Sequence, residues 1–243
     1  MKNRPLLSLI IPAYNEENRI QKALNKIIKY LEGRGYPYEI IIIDDGSSDD
    51  SVKVINKLSE RYKKIKLLQN ENNKGKGYSV KKGMLSSNGL YVLFSDADLS
   101  TPIEEIEKFF SWLRCGYDIV IGSRALEDSD VQIHQPWYRE TMGKIFNVLV
   151  RFLAIKGIKD TQCGFKCFKR EVIPSIFTRQ TIDRFGFDVE LLWIASKKGL
   201  RTKEVPVQWF NDSNSRVNPL TDGISMLYEL LKIRINDLMG KYR

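Results

Sequence analysis

Glu39-Ile40-Ile41-Ile42-Ile43-Asp44-Asp45-Gly46-Ser47 decides the architecture of this chain. Four consecutive isoleucines leave no polar face, so the segment reads as a strand buried on both sides rather than a half-solvated one. It ends in two aspartates and a Gly-Ser turn, where an open parallel sheet presents its ligand-binding groups. The same pattern recurs on either side. Residues 6–11, 65–68, 90–94 and 117–121 are further short apolar runs. Helical spacing fills the gaps: over 16–31 (Ile20, Leu24, Ile27, Ile28, Leu31), over 48–62 (Val52, Ile55, Leu58), over 75–86, and from Pro102 in a first turn through Leu113. Strand, then helix, with continuously apolar strands, predicts an α/β fold built on a mostly parallel sheet flanked by helices.

Past residue 123 the pattern becomes irregular. A polar loop is expected over 127–135, a long helix over 136–155 and a loop around Cys163-Gly164-Phe165. A helix over 187–198, a strand over 202–207 and a C-terminal helix over 220–239 follow. No composition shift marks a linker among the 243 residues. The expectation is one domain, 1–243, with a nucleotide-binding half (1–123) and an acceptor half (124–243).

Composition excludes several classes. With 42% hydrophobic and 28% charged residues the chain is neither disordered nor fibrous. Its longest uncharged stretch, Gly83 to Ser95, is 13 residues, short of the ~20 that cross a bilayer. Pro12 interrupts the first apolar run and Tyr14-Asn15-Glu16-Glu17 follows it, which reads as a strand and not as a signal peptide. Three cysteines and one histidine support neither a disulfide framework nor a zinc cage, and fit a reducing cytoplasm. The net charge of +9 implies an anionic partner. Nucleic acid is not expected to be that partner, since no recognition helix or aromatic RNA-binding strand is present and the acidic strand ends would repel a phosphodiester backbone.

The polar residues after each strand are the candidate site: Pro12-Ala13-Tyr14-Asn15-Glu16, Asp44-Asp45-Gly46-Ser47, Asp96-Ala97-Asp98 and Gly122-Ser123-Arg124. Adjacent carboxylates repel, so these clusters need a cation or hydrogen-bond donors. Asp96 and Asp98, one small residue apart, can aim oxygens at one Mg²⁺ or Mn²⁺ completed by a diphosphate, which describes a nucleotide-sugar site. The alternative for this tripeptide is a solvated turn capping the helix after Pro102. Lys74-Gly75-Lys76-Gly77 lacks the spacing of a Walker loop and reads as a helix entry near the nucleotide. Cys163 and Cys167, His134, Trp112, Trp193 and Trp209 read as structural or surface residues.

Four segments in order, Ile10-Ile11-Pro12-Ala13-Tyr14-Asn15-Glu16, Ile43-Asp44-Asp45-Gly46-Ser47-Ser48-Asp49, Asn73-Lys74-Gly75-Lys76-Gly77 and Asp96-Ala97-Asp98, resemble the glycosyltransferase family 2 enzymes with the Rossmann-like GT-A fold. The resemblance implies a nucleotide-sugar site of Pro12, Ala13, Tyr14, Glu16, Asp44, Asp45, Lys76, Asp96 and Ala97, with metal on Asp96 and Asp98. Later blocks, Gly157 to Lys166 and Phe187 to Leu192, are similar to those of dolichyl-phosphate β-glucosyltransferases, with the mannosyl enzymes next. That similarity implies UDP-glucose as donor rather than GDP-mannose, dolichyl or another polyprenyl phosphate as acceptor, and Gln162 and Lys166 at the acceptor.

Chemistry is compatible with that acceptor. A sugar hydroxyl wants a general base, whereas a lipid phosphate is already anionic and needs cations to position it. Arg124, Arg139 and Arg216 are the candidates beside Asp98, because guanidinium binds phosphate bidentately. A transferase acting on a sugar hydroxyl in polysaccharide synthesis is the alternative. A polyprenyl acceptor also predicts peripheral contact with the cytoplasmic face of a membrane. Two amphipathic stretches could provide it: Met142, Ile145, Phe146, Leu149, Phe152 and Leu153 beside Lys144, Arg151 and Lys156, and Ile224, Leu227, Leu231, Ile235 and Leu238 beside Lys232 and Arg234. The competing expectation is that these stripes pack on the core.

Overall fold

The computed structural model describes residues 4–133, 157–210 and 219–243. The first half follows the expected alternation: β1 (Leu7–Ala13), α1 (Ile20–Arg34), β2 (Tyr38–Asp44), α2 (Ser51–Arg61), β3 (Ile65–Gln69), α3 (Lys76–Ser86) and β4 (Tyr91–Ser95). A 3₁₀ turn, Ile103–Glu105, leads into α4 (Ile106–Arg114), and β5 (Ile119–Ser123) follows. Then come β6 (Asp130–Ile133), β7 (Phe165–Lys169), the short α5 (Ile173–Phe177), α6 (Phe187–Lys197), β8 (Thr202–Pro206), β9 (Gln208–Phe210) and α7 (Pro219–Leu238).

The main sheet has the order β3-β2-β1-β4-β7-β5-β8. β1 pairs in parallel with both β2 and β4, and the isoleucines of β2 serve two cores. Ile40 and Ile42 belong to a cluster with α1, α2 and α4, while Ile41 and Ile43 join α3, α5 and α6 on the other face. That two-sided burial is why the strand carries no alternation. α3 lies tight on the sheet at Gly83, where a Cβ would come within 2.4 Å of Ile10 Cγ2 and 2.5 Å of Ile43 Cδ1.

Two expectations are corrected. The segment from Phe165, read as part of a loop, is β7, an antiparallel strand in the middle of the sheet that pairs Ser95 with Phe165 through Tyr91 with Lys169 on one side and with β5 on the other. The polar loop expected over 127–135 contains β6, which pairs in parallel with β9. The helix expected over 136–155, with its apolar stripe, lies outside the described residues. No helix among the described residues is long and apolar enough to cross a membrane.

Candidate active site

The site forms where the carboxyl ends of β1, β2 and β4 meet the segment before β7. Pro12 and Ala13 end β1, and the Ala13 carbonyl accepts from Asp45 N at 2.8 Å. Asn15, at φ 52° in the left-handed region that Asn tolerates, turns the chain so that its amide donates to Ser47 Oγ (2.8 Å) and its side-chain oxygen accepts from Ser48 N (2.8 Å). Glu16 N donates to Ser51 Oγ at 2.6 Å, and the Glu16 carboxylate pairs with Arg19. Tyr14 stands exposed at the rim.

The two aspartates after β2 are both buried and used differently. Asp45 accepts from Asn70 Nδ2 (2.7 Å), Lys74 N (3.1 Å) and Gly75 N (2.8 Å), which fixes the entry to α3. Both its oxygens are thereby engaged by the protein. Asp44 Oδ2 accepts from Ser47 N at 3.2 Å, and its other oxygen is buried with no donor. Gly46, at φ +73°, allows the turn between them, since a Cβ there would lie 2.6 Å from the Asn72 backbone.

At the end of β4, Lys76 Nζ meets Asp96 Oδ1 at 2.6 Å, and Asp98 Oδ1 accepts from Ser100 N at 2.9 Å. Ala97 between them is buried in the core, which sends the two carboxylates to the same side of the strand end. Burial, and next the Asp96 charge, pushes the Asp98 carboxyl up. Burial by itself would lower Lys76, but Asp96, Asp188 and Asp98 hold its ammonium above the usual range. Two close carboxylates, one resisting ionisation, are the donor set that a hard divalent ion relieves. Among the described residues no group of three or more His, Cys, Asp or Glu could cage a metal; an ion on this carboxylate pair would need its further ligands from phosphate or water. Mg²⁺ or Mn²⁺ fits that set. The buried Cys163 and Cys167 do not compete as ligands: burial pushes Cys163 up to about 11 and Cys167 higher still.

The segment before β7 closes the site from the other side. The Gly164 carbonyl accepts from Asp96 N at 3.2 Å, and a Cβ on Gly164 would sit 2.0 Å from Asp96 Oδ2. Lys166 Nζ holds the Cys163 carbonyl at 2.6 Å and Asp188 Oδ1 at 2.5 Å. Its side chain, expected at the acceptor, is fully buried in the ion pair with Asp188. Arg124 grips Asp160 through Nε (2.7 Å) and Nη2 (2.9 Å), and its guanidinium lies 5.4 Å from the Trp209 ring. Burial would raise Asp160, but Arg124 holds its carboxyl down to about 2. Arg124 is thus oriented, with 29% of its side chain still open. Gln162 donates from its backbone to Asp160 (3.1 Å) and from its side chain to Met226 Sδ (3.8 Å). Arg139, Arg216 and His134 lie outside the described residues.

Sequence reasoning missed Asp188 as a member of this constellation. The available signal was two acids, Asp188 and Glu190, in Phe187-Asp188-Val189-Glu190-Leu191-Leu192, a segment otherwise apolar and buried on all sides, where each acid must have a partner.

Comparison with known proteins gives the family. Residues 8–177 match the sequence signature of Glycosyl transferase family 2. The chain is 38% identical over 249 residues to the dolichyl-phosphate beta-glucosyltransferase of Dictyostelium discoideum, covering 98% of this chain and 76% of that one. It is 35% identical to the human enzyme of the same name, covering 98% and 77%. In fold it is similar to glucosyl-3-phosphoglycerate synthase from Mycobacterium tuberculosis, solved with Mn²⁺, UDP-glucose and phosphoglyceric acid, at a TM-score of 0.69 and 19% identity over 98% of this chain and 80% of that one. The chain is a glycosyltransferase and belongs to glycosyltransferase family 2.

Proposed function

We propose that this enzyme transfers glucose, with inversion, from UDP-glucose to dolichyl or another polyprenyl phosphate at the cytoplasmic face of a membrane, the whole of 1–243 acting as one unit. The named activity of relatives 35–38% identical over 98% of the chain supports donor and acceptor. One structural observation carries the choice of a phosphate acceptor. Among the described residues, the second-half carboxylates at the site, Asp160 and Asp188, are both buried and locked in ion pairs with Arg124 and Lys166, so neither is open to take a proton from a hydroxyl. A phosphate monoester needs no such base.

A lipid phosphate oxygen attacks the anomeric carbon, the bond to the diphosphate breaks on the opposite face, and UDP leaves with the electron pair. Held by Asp96 and Asp98, Mg²⁺ or Mn²⁺ would neutralise charge on the departing diphosphate. Lys76, pinned to Asp96 beside that position, adds a fixed cation without reorganising. Buried Asp44, with an oxygen lacking a donor, supports a nucleobase N–H as its complement. Arg124 presents its open edge to the attacking phosphate, its plane set by Asp160; Arg139 and Arg216 complete the acceptor set in this reading, with Gln162 beside them.

Radiolabelled UDP-glucose and GDP-mannose, each incubated with polyprenyl phosphate and divalent metal, test the reading by solvent extraction of the lipid product. Label from UDP-glucose should enter the lipid phase. Chelator or Asp98→Ala should remove it, with the folded state kept. Label appearing only in a water-soluble glycan, or a GDP-mannose rate above the UDP-glucose rate, would overturn it.

A further inference from the structure

α7 is two-sided, and only one side is accounted for by the fold. Met226, Glu229, Leu230, Ile233 and Asn236 are buried against the protein. Gly186 N donates to the Glu229 carboxylate at 2.7 Å, and Asn236 Nδ2 donates to Thr181 Oγ1 at 2.9 Å. On the opposite side Leu227, Tyr228, Leu231, Ile235, Leu238 and Met239 are between 40% and 84% exposed. At about 100° per residue these six fall within one arc of roughly 120°, with Arg234 at one margin and Lys232 at the other.

The charge around this arc has one sign. From Leu227 to Arg243 the exposed charged side chains are Lys232, Arg234, Lys241 and Arg243. Of the acids in that span, Glu229 is buried and Asp237 is held by Lys197 at 2.9 Å. Lys241 turns back to Asn236 Oδ1 at 2.9 Å, so Lys232 and Arg234 are the cations that flank the arc, and a second copy of this chain would set that pair against the same pair. An anionic lipid leaflet accepts both features, apolar side chains below the headgroups and Lys or Arg stems reaching up to the phosphates. Position agrees with that occupant. Met226, near the start of the face, touches Gln162 of the site, and Glu229 holds the N-terminus of α6 where Asp188 stands.

Resting on the polyprenyl-phosphate reading above, we propose that the outer face of α7 lies in the headgroup plane of an anionic membrane and brings the site to the phosphate of an embedded polyprenyl lipid. Flotation of the full chain with phosphatidylcholine vesicles, with and without phosphatidylglycerol, tests the docking without any reference to catalysis. Binding should require the anionic lipid and weaken with salt. Leu231→Ser with Ile235→Ser should cut binding about tenfold while the unfolding temperature stays at the wild-type value, because both side chains face water. The same variant should raise the apparent KM for vesicle-embedded polyprenyl phosphate about tenfold and leave kcat/KM for a short, water-soluble isoprenyl phosphate unchanged. A variant that floats like the wild type, or a wild type that stays off anionic vesicles at low salt, overturns the proposal. So does a variant whose only change is from dimer to monomer in sedimentation, which would make the face a contact between copies. Absence of transfer to either acceptor would sink the polyprenyl reading, while flotation would still decide the docking.

Discussion

Single residues in this protein act mainly by being held. Asp160 is the clearest: ordinary in sequence, it is buried, gripped by Arg124 on both oxygens and kept at about 2. A carboxyl lowered on folding stabilises the protein above its unfolded pKa near 4, and that stability is lost as pH falls through the folded value. Asp160→Asn should therefore cost about 3 kcal/mol at neutral pH by leaving Arg124 unpaired. The gap to wild type should shrink by about 2 kcal/mol as pH falls from 4 toward 2, read by urea unfolding across that range. Gly164 acts by absence. Its missing Cβ is the space occupied by the Asp96 carboxylate, so Gly164→Ala should displace that carboxylate and lower Mn²⁺-dependent UDP affinity by tenfold or more in calorimetry. An unchanged affinity would show that Asp96 is free to move. The acidic tripeptide and Arg124 were legible as site residues because they end strands. The inward roles of Asp45 and Lys166 were not, because a residue name does not say which side of a loop it faces.

At the scale of elements, the tie between β7 and α6 matters most. Lys166 on β7 and Asp188 on α6 form a buried pair, and the same ammonium holds the Cys163 carbonyl next to Gly164. Lys166→Met should destabilise the protein by about 3–5 kcal/mol, since Asp188 would remain buried without its partner. Adding Asp188→Leu should restore most of that stability, because a buried ion pair replaced whole by apolar side chains is often neutral. Transfer activity should stay low in the double variant, because the Cys163 carbonyl still lacks its donor and the Gly164 segment is no longer fixed against Asp96. Full activity in a stable double variant would reduce the pair to a packing element.

For the whole molecule the order of the sheet is decisive. β4 and β5 lie on opposite sides of β7, so the first 123 residues do not carry a complete set of strand neighbours. A fragment 1–123 would expose the facing edges of both strands, which invites aggregation. Expressed alone, it should lack the cooperative unfolding transition of the full chain and should exchange the amides of β4 rapidly with solvent. A fragment that unfolds cooperatively and binds UDP would show that the two halves are independent units, contrary to the one-unit reading.

Strand identity, the helices between strands and the acidic strand ends were determined by local sequence. Four isoleucines in a row bury on two faces wherever they are placed, and Asp-Ala-Asp after a buried strand has to emerge at its end. The placement of β7 was decided only by tertiary structure. Phe165-Lys166-Cys167-Phe168-Lys169 carries two lysines in five residues and no β-branched side chain, so nothing local marks it as a central strand. It becomes one because β4 and β5 supply backbone partners on both edges and Asp188 neutralises the lysine it buries. The exposed face of α7 shows the same division. Its spacing in sequence announced an amphipathic helix with an apolar stripe, but an apolar stripe is drawn identically whether it meets a core or a leaflet. Only the packing of Leu230 and Ile233 against the protein left Leu231 and Ile235 facing outward.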